Sequence, residues 1–161
     1  MINDAHWRIM ALTPWNELSE DARGTSHFAT YECCRLTAML YSNSVLFPLP
    51  TASSWHIDLL LQIRRILAEA RLQLWPDDAG ALLIWSLCIA SIAAFWTDHK
   101  MYFIRELESA LLAKGVASWS AFHAILKRFL WTDIACWAGG MDVWKSLQMN
   151  RWRESVAASE V

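Results

Sequence analysis

Arg35 is the residue of this chain whose type and setting are best suited to chemistry. It lies in a stretch with helical spacing, and Tyr31 falls one turn before it. A guanidinium flanked by an aromatic ring could hold an anionic or carbonyl oxygen of a ligand. The ordinary alternative is an internal ion pair with Glu32, or with a carboxylate such as Asp133 or Asp142. The sequence favours the ion pair.

Three further side chains could donate a hydrogen bond to a ligand. His56 follows Trp55 at the start of a predicted helix, where a capping or surface histidine is the favoured alternative. His99 and Tyr102 belong to segment 98–102, which opens another predicted helix whose free amides favour anions. A solvated helix start is the favoured alternative there. The candidate catalytic donors are therefore, in order of preference, Arg35, His56, His99 and Tyr102.

Tryptophan is unusually frequent, with 11 residues in a chain of 161. Because its ring is large and its indole N–H needs a partner, cores usually rely on Leu, Ile and Val instead. The excess fits an aromatic cavity for an extended apolar ligand, and it fits equally a scaffold that inherited its tryptophans. Around Asp133, core packing is favoured, with that carboxylate paired to an arginine or an indole N–H. The candidate substrate-binding residues are Tyr31, Trp55, Trp85, Trp131 and Trp137.

Motifs of the common enzyme classes are absent from the sequence. It contains no GxSxG, no glycine-rich phosphate loop and no HExxH, and no two of its five histidines stand three or four residues apart. The four cysteines form no CxxC pair, so buried free thiols in a reducing compartment are expected. We expect no metal and no cofactor. Any catalysis would then depend on shape and a few hydrogen bonds.

Charge and hydropathy argue against two classes of partner. The formal net charge is −2 and 19% of the residues are charged, which predicts no binding to nucleic acid. The apolar run 81–96 has sixteen residues, whereas a membrane span needs about 18–20. We therefore expect no membrane span and a cytoplasmic location, or a nuclear one for a regulatory protein. The hydrophobic content of 55% predicts a homodimer or a large ligand pocket.

Helical periodicity runs through most of the chain, and no long strand pattern occurs. The sequence predicts an all-α protein, a compact bundle of five to six helices around a central apolar helix at 81–97. The single domain 1–161 would comprise an N-terminal arm (1–25), a helical core (26–150) and a polar tail (151–161). The expected helices lie at 26–46, 55–74, 81–96, 98–114, 119–138 and 141–156.

The expected helix ends follow from capping residues. An aspartate at 77 or 78 should cap the central helix, and Asp98 should cap the next one, which would end at Gly115. Ser118 should cap the helix after that. Gly139–Gly140 should stop it.

Three segments together resemble a known family. They are YECCRLTAMLYSNSVLFPLP, ALLIWSLCIASIAA and KMYFIRELESALLAKGVASWSAFHAILKRFLWTDIACWAGGMDVW. Their order and spacing resemble the C-terminal part of the fungal-specific transcription factor domain, the helical regulatory region of zinc binuclear-cluster activators. The resemblance covers residues 28–147 and implies a helical scaffold. The six-cysteine DNA-binding module and the upstream half of the regulatory region are absent, so we expect a stand-alone chain without DNA binding.

Two functions are compatible with this resemblance and composition. The first is a fungal specialised-metabolism enzyme that binds an apolar terpenoid- or polyketide-like substrate and promotes cyclisation or a (hetero-)Diels–Alder-type cycloaddition. Orienting the two reacting groups can contribute about 7–11 kcal/mol, and a hydrogen bond to a carbonyl oxygen adds activation. The alternative is a stand-alone regulatory or dimerisation domain that binds an effector or a partner protein.

Overall fold

The computed structural model describes residues 11–14, 17, 27–46, 54–70 and 79–159. Within these ranges the regular structure is entirely helical, which confirms the predicted all-α class. The elements are α1 (His27–Tyr41), a π-helical turn (Ser42–Leu46), α2 (Ser54–Ala70), α3 (Gly80–Ala93), α4 (Lys100–Ala113), α5 (Trp119–Leu126) and α6 (Asp133–Ser159).

Helix α3 is the centre of the bundle and packs against every other helix of the described structure. Because its sequence is apolar on all faces, it can be stable only when neighbours surround it. Leu87 and Cys88 at its middle are almost fully buried. The predicted central helix is confirmed, but it ends at Ala93, and Trp96 beyond it is 85% exposed. No helix in the described part of the chain has the length and apolarity that a membrane span requires.

Two of the expected helix ends are confirmed. The Oγ of Ser118 accepts a hydrogen bond of 3.2 Å from the backbone N–H of Ala121, which caps the start of α5. Gly115, just after α4, has a φ of +65°. This left-handed conformation is the one that favours glycine at a helix C-terminus.

The expected cap of α4 is wrong. Its N-cap is His99 rather than Asp98, and no side chain caps it. Thr97 accounts for the difference, because its Oγ1 accepts from the His99 backbone N–H at 3.2 Å and donates to the Ala94 carbonyl at 2.9 Å. This tight turn leaves Asp98 outside the capping position. The acidic pair at 77–78, expected to cap α3, lies outside the described residues. The N-cap residue of α3 is Ala79.

The expected stop at the glycine pair is also wrong. The predicted helix 119–138 is two helices, α5 and α6, and α6 continues through both glycines. A Cβ on Gly139 would lie 2.8 Å from Ile92 Cγ2, and one on Gly140 would lie 2.7 Å from Trp131 Cη2. The glycines therefore serve close packing of α6 against its neighbours, and they do not end the helix.

Helix α6 is held to α4 by a buried polar contact. The Glu108 carboxylate on α4 accepts from Arg151 Nε at 3.1 Å and from Asn150 Nδ2. Since a buried carboxylate needs such partners, this contact fixes how the long last helix lies against the bundle.

Candidate functional site

A groove of about 540 Å³ lies between α1 and α3 and extends to the turn that joins α5 to α6. Its volume falls within the range of about 300–1,000 Å³ that small-molecule sites occupy. We call it the α1–α3 groove. Its lining residues are Leu12, Thr30, Tyr31, Cys34, Arg35, Ala38, Leu82, Trp85, Phe129 and Leu130.

Helix α1 supplies one wall of the α1–α3 groove. Thr30, Cys34 and Ala38 follow each other at intervals of four residues, so they share one helix face. All three side chains are short. Because they leave space opposite the rings of the other wall, a cavity remains where two larger side chains would meet.

Trp85 on α3 supplies the opposite wall. Its indole N–H donates a hydrogen bond of 2.9 Å to the carbonyl oxygen of Leu130, in the turn between α5 and α6. The Phe129 ring packs against it with 5.9 Å between the ring centroids. Since the N–H is already satisfied, Trp85 offers an apolar ring to the groove.

Arg35 is the charged residue of the lining, and it is held by Glu32. Its Nε and Nη2 donate to the two carboxylate oxygens of Glu32, each at 2.7 Å, and both residues are buried. This bidentate contact raises the pKa of Arg35. Nη1 donates to the sulfur of Met39 at 3.2 Å. The predicted ion pair with Glu32 is confirmed, and the same arginine lines the groove.

Two further polar groups lie on the α1 wall. Thr30 Oγ1 is buried and has no hydrogen-bond partner within the described structure. The Cys34 sulfur lies 3.9 Å from Ser86 Oγ, and burial raises the pKa of this thiol to about 11. Cys34 is therefore a neutral thiol near pH 7 and a weak nucleophile.

A short segment before α1 reaches the groove. The Tyr31 hydroxyl donates a hydrogen bond of 2.9 Å to the backbone carbonyl of Thr13, and Leu12 beside it lines the cavity. Tyr31, expected as a ligand contact, thus also fastens segment 11–14 to the α1 wall.

A second group of aromatic residues surrounds His123, and we call it the His123 cluster; it comprises Trp119, His123, Trp131, Asp133 and Trp137. The His123 ring stacks on Trp119 with 5.4 Å between centroids and meets Trp137 edge-on at 5.2 Å. Its Nε2 lies 2.7 Å from Asp133 Oδ1, and the Trp131 N–H donates to the same oxygen at 2.8 Å. These two contacts lower the pKa of Asp133. The expected pairing of Asp133 with an indole is confirmed. The expected core packing around it is wrong, because Asp133 and Trp137 are both exposed.

His56 lies inside the protein, with only 1% of its surface exposed. The favoured alternative of a surface histidine is therefore wrong. Its Nε2 is 3.4 Å from Ser44 Oγ in the π-helical turn, and the neighbouring Trp55 meets its ring edge-on. Packing of α2 against the end of α1 explains the burial, which the position of His56 near a helix start does not reveal.

His99 and Tyr102 meet a third partner, Arg64 on α2. The Arg64 guanidinium lies 4.7 Å from the centre of the Tyr102 ring, and its Nη1 is 3.4 Å from His99 Nδ1. The Tyr102 hydroxyl contacts the Arg64 carbonyl at 3.4 Å. These contacts join the start of α4 to α2.

The nine candidate residues thus fall into separate groups. Three of them line the α1–α3 groove, namely Tyr31, Arg35 and Trp85. Two belong to the His123 cluster, namely Trp131 and Trp137. The remaining four lie in the two other groups, namely Trp55, His56, His99 and Tyr102.

Sequence reasoning missed several lining residues of the groove. Thr30 and Cys34 could have been found, because they share a helix face four residues apart. Phe129 and Leu130 carried no such signal, since their segment was expected to be helical and forms a turn.

Comparison with known proteins assigns this chain to no family. No protein-family model matches the chain, and neither a curated protein nor a solved structure matches it. Across the described residues, no three His, Cys, Asp or Glu side chains are grouped so as to hold a metal ion.

Proposed function

We propose that this protein binds an extended apolar small molecule in the α1–α3 groove and promotes its cyclisation or (hetero-)Diels–Alder-type cycloaddition. The supporting observation is the groove itself, about 540 Å³ with apolar and aromatic walls and with Arg35 and Thr30 among its few polar residues. Pockets of this kind fix the shape of an apolar ligand and use a small number of polar groups to orient it.

The chemistry would come from positioning and from one donor. Holding the two reacting ends of a folded substrate together can lower a barrier by about 7–11 kcal/mol. Arg35 would donate a hydrogen bond to a carbonyl oxygen of the electron-poor partner, and a donor of this kind is worth about 10²–10³-fold in rate. Neither contribution needs a nucleophile, which agrees with the neutral state of Cys34.

The resemblance to the fungal transcription factor domain supports a terpenoid- or polyketide-like substrate from fungal specialised metabolism. We further propose that the protein acts in the cytoplasm, without a cofactor, and as a homodimer. Ile134 is fully exposed, and Leu130 and Trp137 close to it along the chain are nearly half exposed. We call these three exposed apolar residues the 130–137 face, and a second copy of the chain would cover them.

The same surface favours a second candidate function. A regulatory domain would use the groove for an effector and the 130–137 face for a partner protein, and it would act in the nucleus. The two functions differ in one respect that can be measured. The enzyme converts its ligand into a rearranged compound, whereas the regulator leaves its ligand unchanged.

The test uses native mass spectrometry with a mixture of neutral terpenoids and polyketides, followed by chromatography of the released compounds. The natural protein should retain at least one of them. Ala38→Trp fills the groove and should abolish retention, whereas Leu112→Trp, at an exposed site on α4, should preserve it. A folded Ala38→Trp protein that still binds the same compound would show that the site lies elsewhere. Release of an isomer with unchanged mass supports the enzyme, and release of the original compound supports the regulator.

A further inference from the structure

The charge state of the groove carries information about its ligand. An arginine in an apolar pocket ordinarily suggests an anion, but Arg35 already has a full counter-charge. Both of its contacts with Glu32 are 2.7 Å long, and Glu32 and Arg35 are 1% and 8% exposed. The pair is therefore electrically neutral as a unit.

We infer that the ligand of the α1–α3 groove is electrically neutral and carries a ketone-type oxygen that accepts a hydrogen bond from Arg35, and that Glu32 makes the groove reject carboxylates. This inference rests on the proposed function, because it concerns the ligand of the same site. A carboxylate near Arg35 would also lie near the Glu32 carboxylate, so repulsion would offset most of the attraction. The cost of removing the carboxylate from water would remain uncompensated.

Arg35 retains a donor for a neutral oxygen. Glu32 occupies Nε and one N–H of Nη2, and Nη1 meets the thioether of Met39. A thioether sulfur is a weak acceptor. A ketone oxygen can replace it and form a stronger hydrogen bond with a charged donor.

Thr30 provides a second donor further along the groove. Its buried Oγ1 has no partner among the described residues, and such a hydroxyl is stabilised when it donates a hydrogen bond to a ligand oxygen. Thr30 and Arg35 are five residues apart on α1, about 7.5 Å along the helix axis. The two donors therefore contact different parts of an extended ligand, which makes a compound with two neutral oxygens the best match.

The experiment compares three probes of equal carbon number, namely nonanoate, 2-nonanone and 2,8-nonanedione, by titration calorimetry at pH 7.5. The natural protein should bind 2-nonanone about tenfold more tightly than nonanoate, and the dione more tightly still. Stronger binding of nonanoate would overturn the inference and leave the groove as a ligand site. Absence of binding by all three would instead count against the proposed function.

Two variants test the role of each residue. Glu32→Gln removes the counter-charge and should reverse the order, so that nonanoate binds more tightly than 2-nonanone. The double variant Glu32→Gln, Arg35→Gln has no charge in the pair and should bind nonanoate no better than the natural protein does. If Glu32→Gln alone does not fold, the double variant still allows nonanoate binding to be measured without the Glu32 charge. An unchanged order in folded Glu32→Gln would overturn the role of Glu32.

Thr30→Val tests the second donor. It removes the hydroxyl at nearly constant volume, so it should weaken binding of 2,8-nonanedione several-fold and leave 2-nonanone unaffected. Unchanged binding of the dione would remove Thr30 from the inference.

Discussion

The α1–α3 groove and the His123 cluster both contain tryptophan, and they use it in different ways. In the groove, Trp85 and the short side chains of α1 line the same cavity. In the His123 cluster, the rings of Trp119 and Trp137 contact each other and His123, so the ring surfaces that meet there are occupied by other rings, although nearly half of Trp137 remains exposed. A high tryptophan content therefore does not by itself mark a pocket. The residues opposite each ring decide whether space is left.

The polar groups of the two regions differ in the same way. Arg35 and Glu32 form a buried ion pair, whereas about half of the Asp133 side chain in the His123 cluster is exposed. Removing one partner of a buried pair leaves a charge without water, and an exposed carboxylate is stabilised by solvent when its partner is lost. Variants of the two regions should therefore differ widely in their effect on stability.

The largest effect is expected from Arg35→Leu. Because Glu32 would remain buried without its partner, the free energy of unfolding should fall by about 3–5 kcal/mol, measured by urea denaturation. The double variant Glu32→Gln, Arg35→Gln is the matched control and should lose much less. If Arg35→Leu is as stable as the natural protein, the ion pair is not structurally important. Any change in reaction rate would then report on ligand contact alone.

A smaller effect is expected from Gly140→Ala. The new Cβ would meet Cη2 of Trp131 at 2.7 Å, and the rigid ring has little room to move beside His123. Overpacking should cost about 1–2 kcal/mol of unfolding free energy after the gain in helix propensity is subtracted. The background Trp131→Phe removes the nearest contacting atom and leaves Trp119 Cη2 at 3.3 Å, so Gly140→Ala should cost clearly less there. Equal cost in both backgrounds would show that Trp131 is not the obstacle.

The glycine pair also shows why part of the fold could not be predicted from the sequence. The central helix and the Ser118 cap are local signals, an apolar run and a hydroxyl just before a helix, and both were predicted correctly. The role of Gly139 and Gly140 depends on Ile92 and Trp131, which other elements bring to them. A glycine pair usually ends a helix, but here the two glycines allow other elements to pack closely against α6.

The candidate site was predictable to a similar degree. Arg35 and Tyr31 share one helix, so their proximity followed from helical spacing. Trp85 was selected by type, and its place in the groove depends on how α3 packs against α1. Leu12 and Phe129 come from segments that are not helical in the folded protein, and only the folded chain brings them to the cavity.

Ile134 of the 130–137 face does not line the groove, so a variant at this position tests association and leaves the groove intact. Ile134 is fully exposed in the monomer, so Ile134→Ser should change monomer stability by less than about 0.5 kcal/mol. It should nevertheless shift a dimer to a monomer of 18.5 kDa in light scattering at micromolar concentration. Leu112→Ser, at an exposed site on α4, is the control and should leave the dimer in place. A monomeric natural protein would rule out this dimer.

The smallest effect is expected from the titration of Asp133. The contacts with His123 and Trp131 lower its pKa in the folded protein, so it binds fewer protons than in the unfolded chain. Its contribution to stability is therefore present above the ordinary aspartate pKa of about 3.9 and is lost as the pH falls through the lowered value. Asp133→Asn should lack this component, so its melting temperature should decline less steeply than that of the natural protein below about pH 4. Asp142→Asn, which removes an exposed carboxylate paired with Lys145 at 3.7 Å, is the control and should retain the steeper decline. If the melting temperatures of Asp133→Asn and the natural protein decline in parallel over this pH range, the contacts of the His123 cluster do not hold the carboxylate in its charged form.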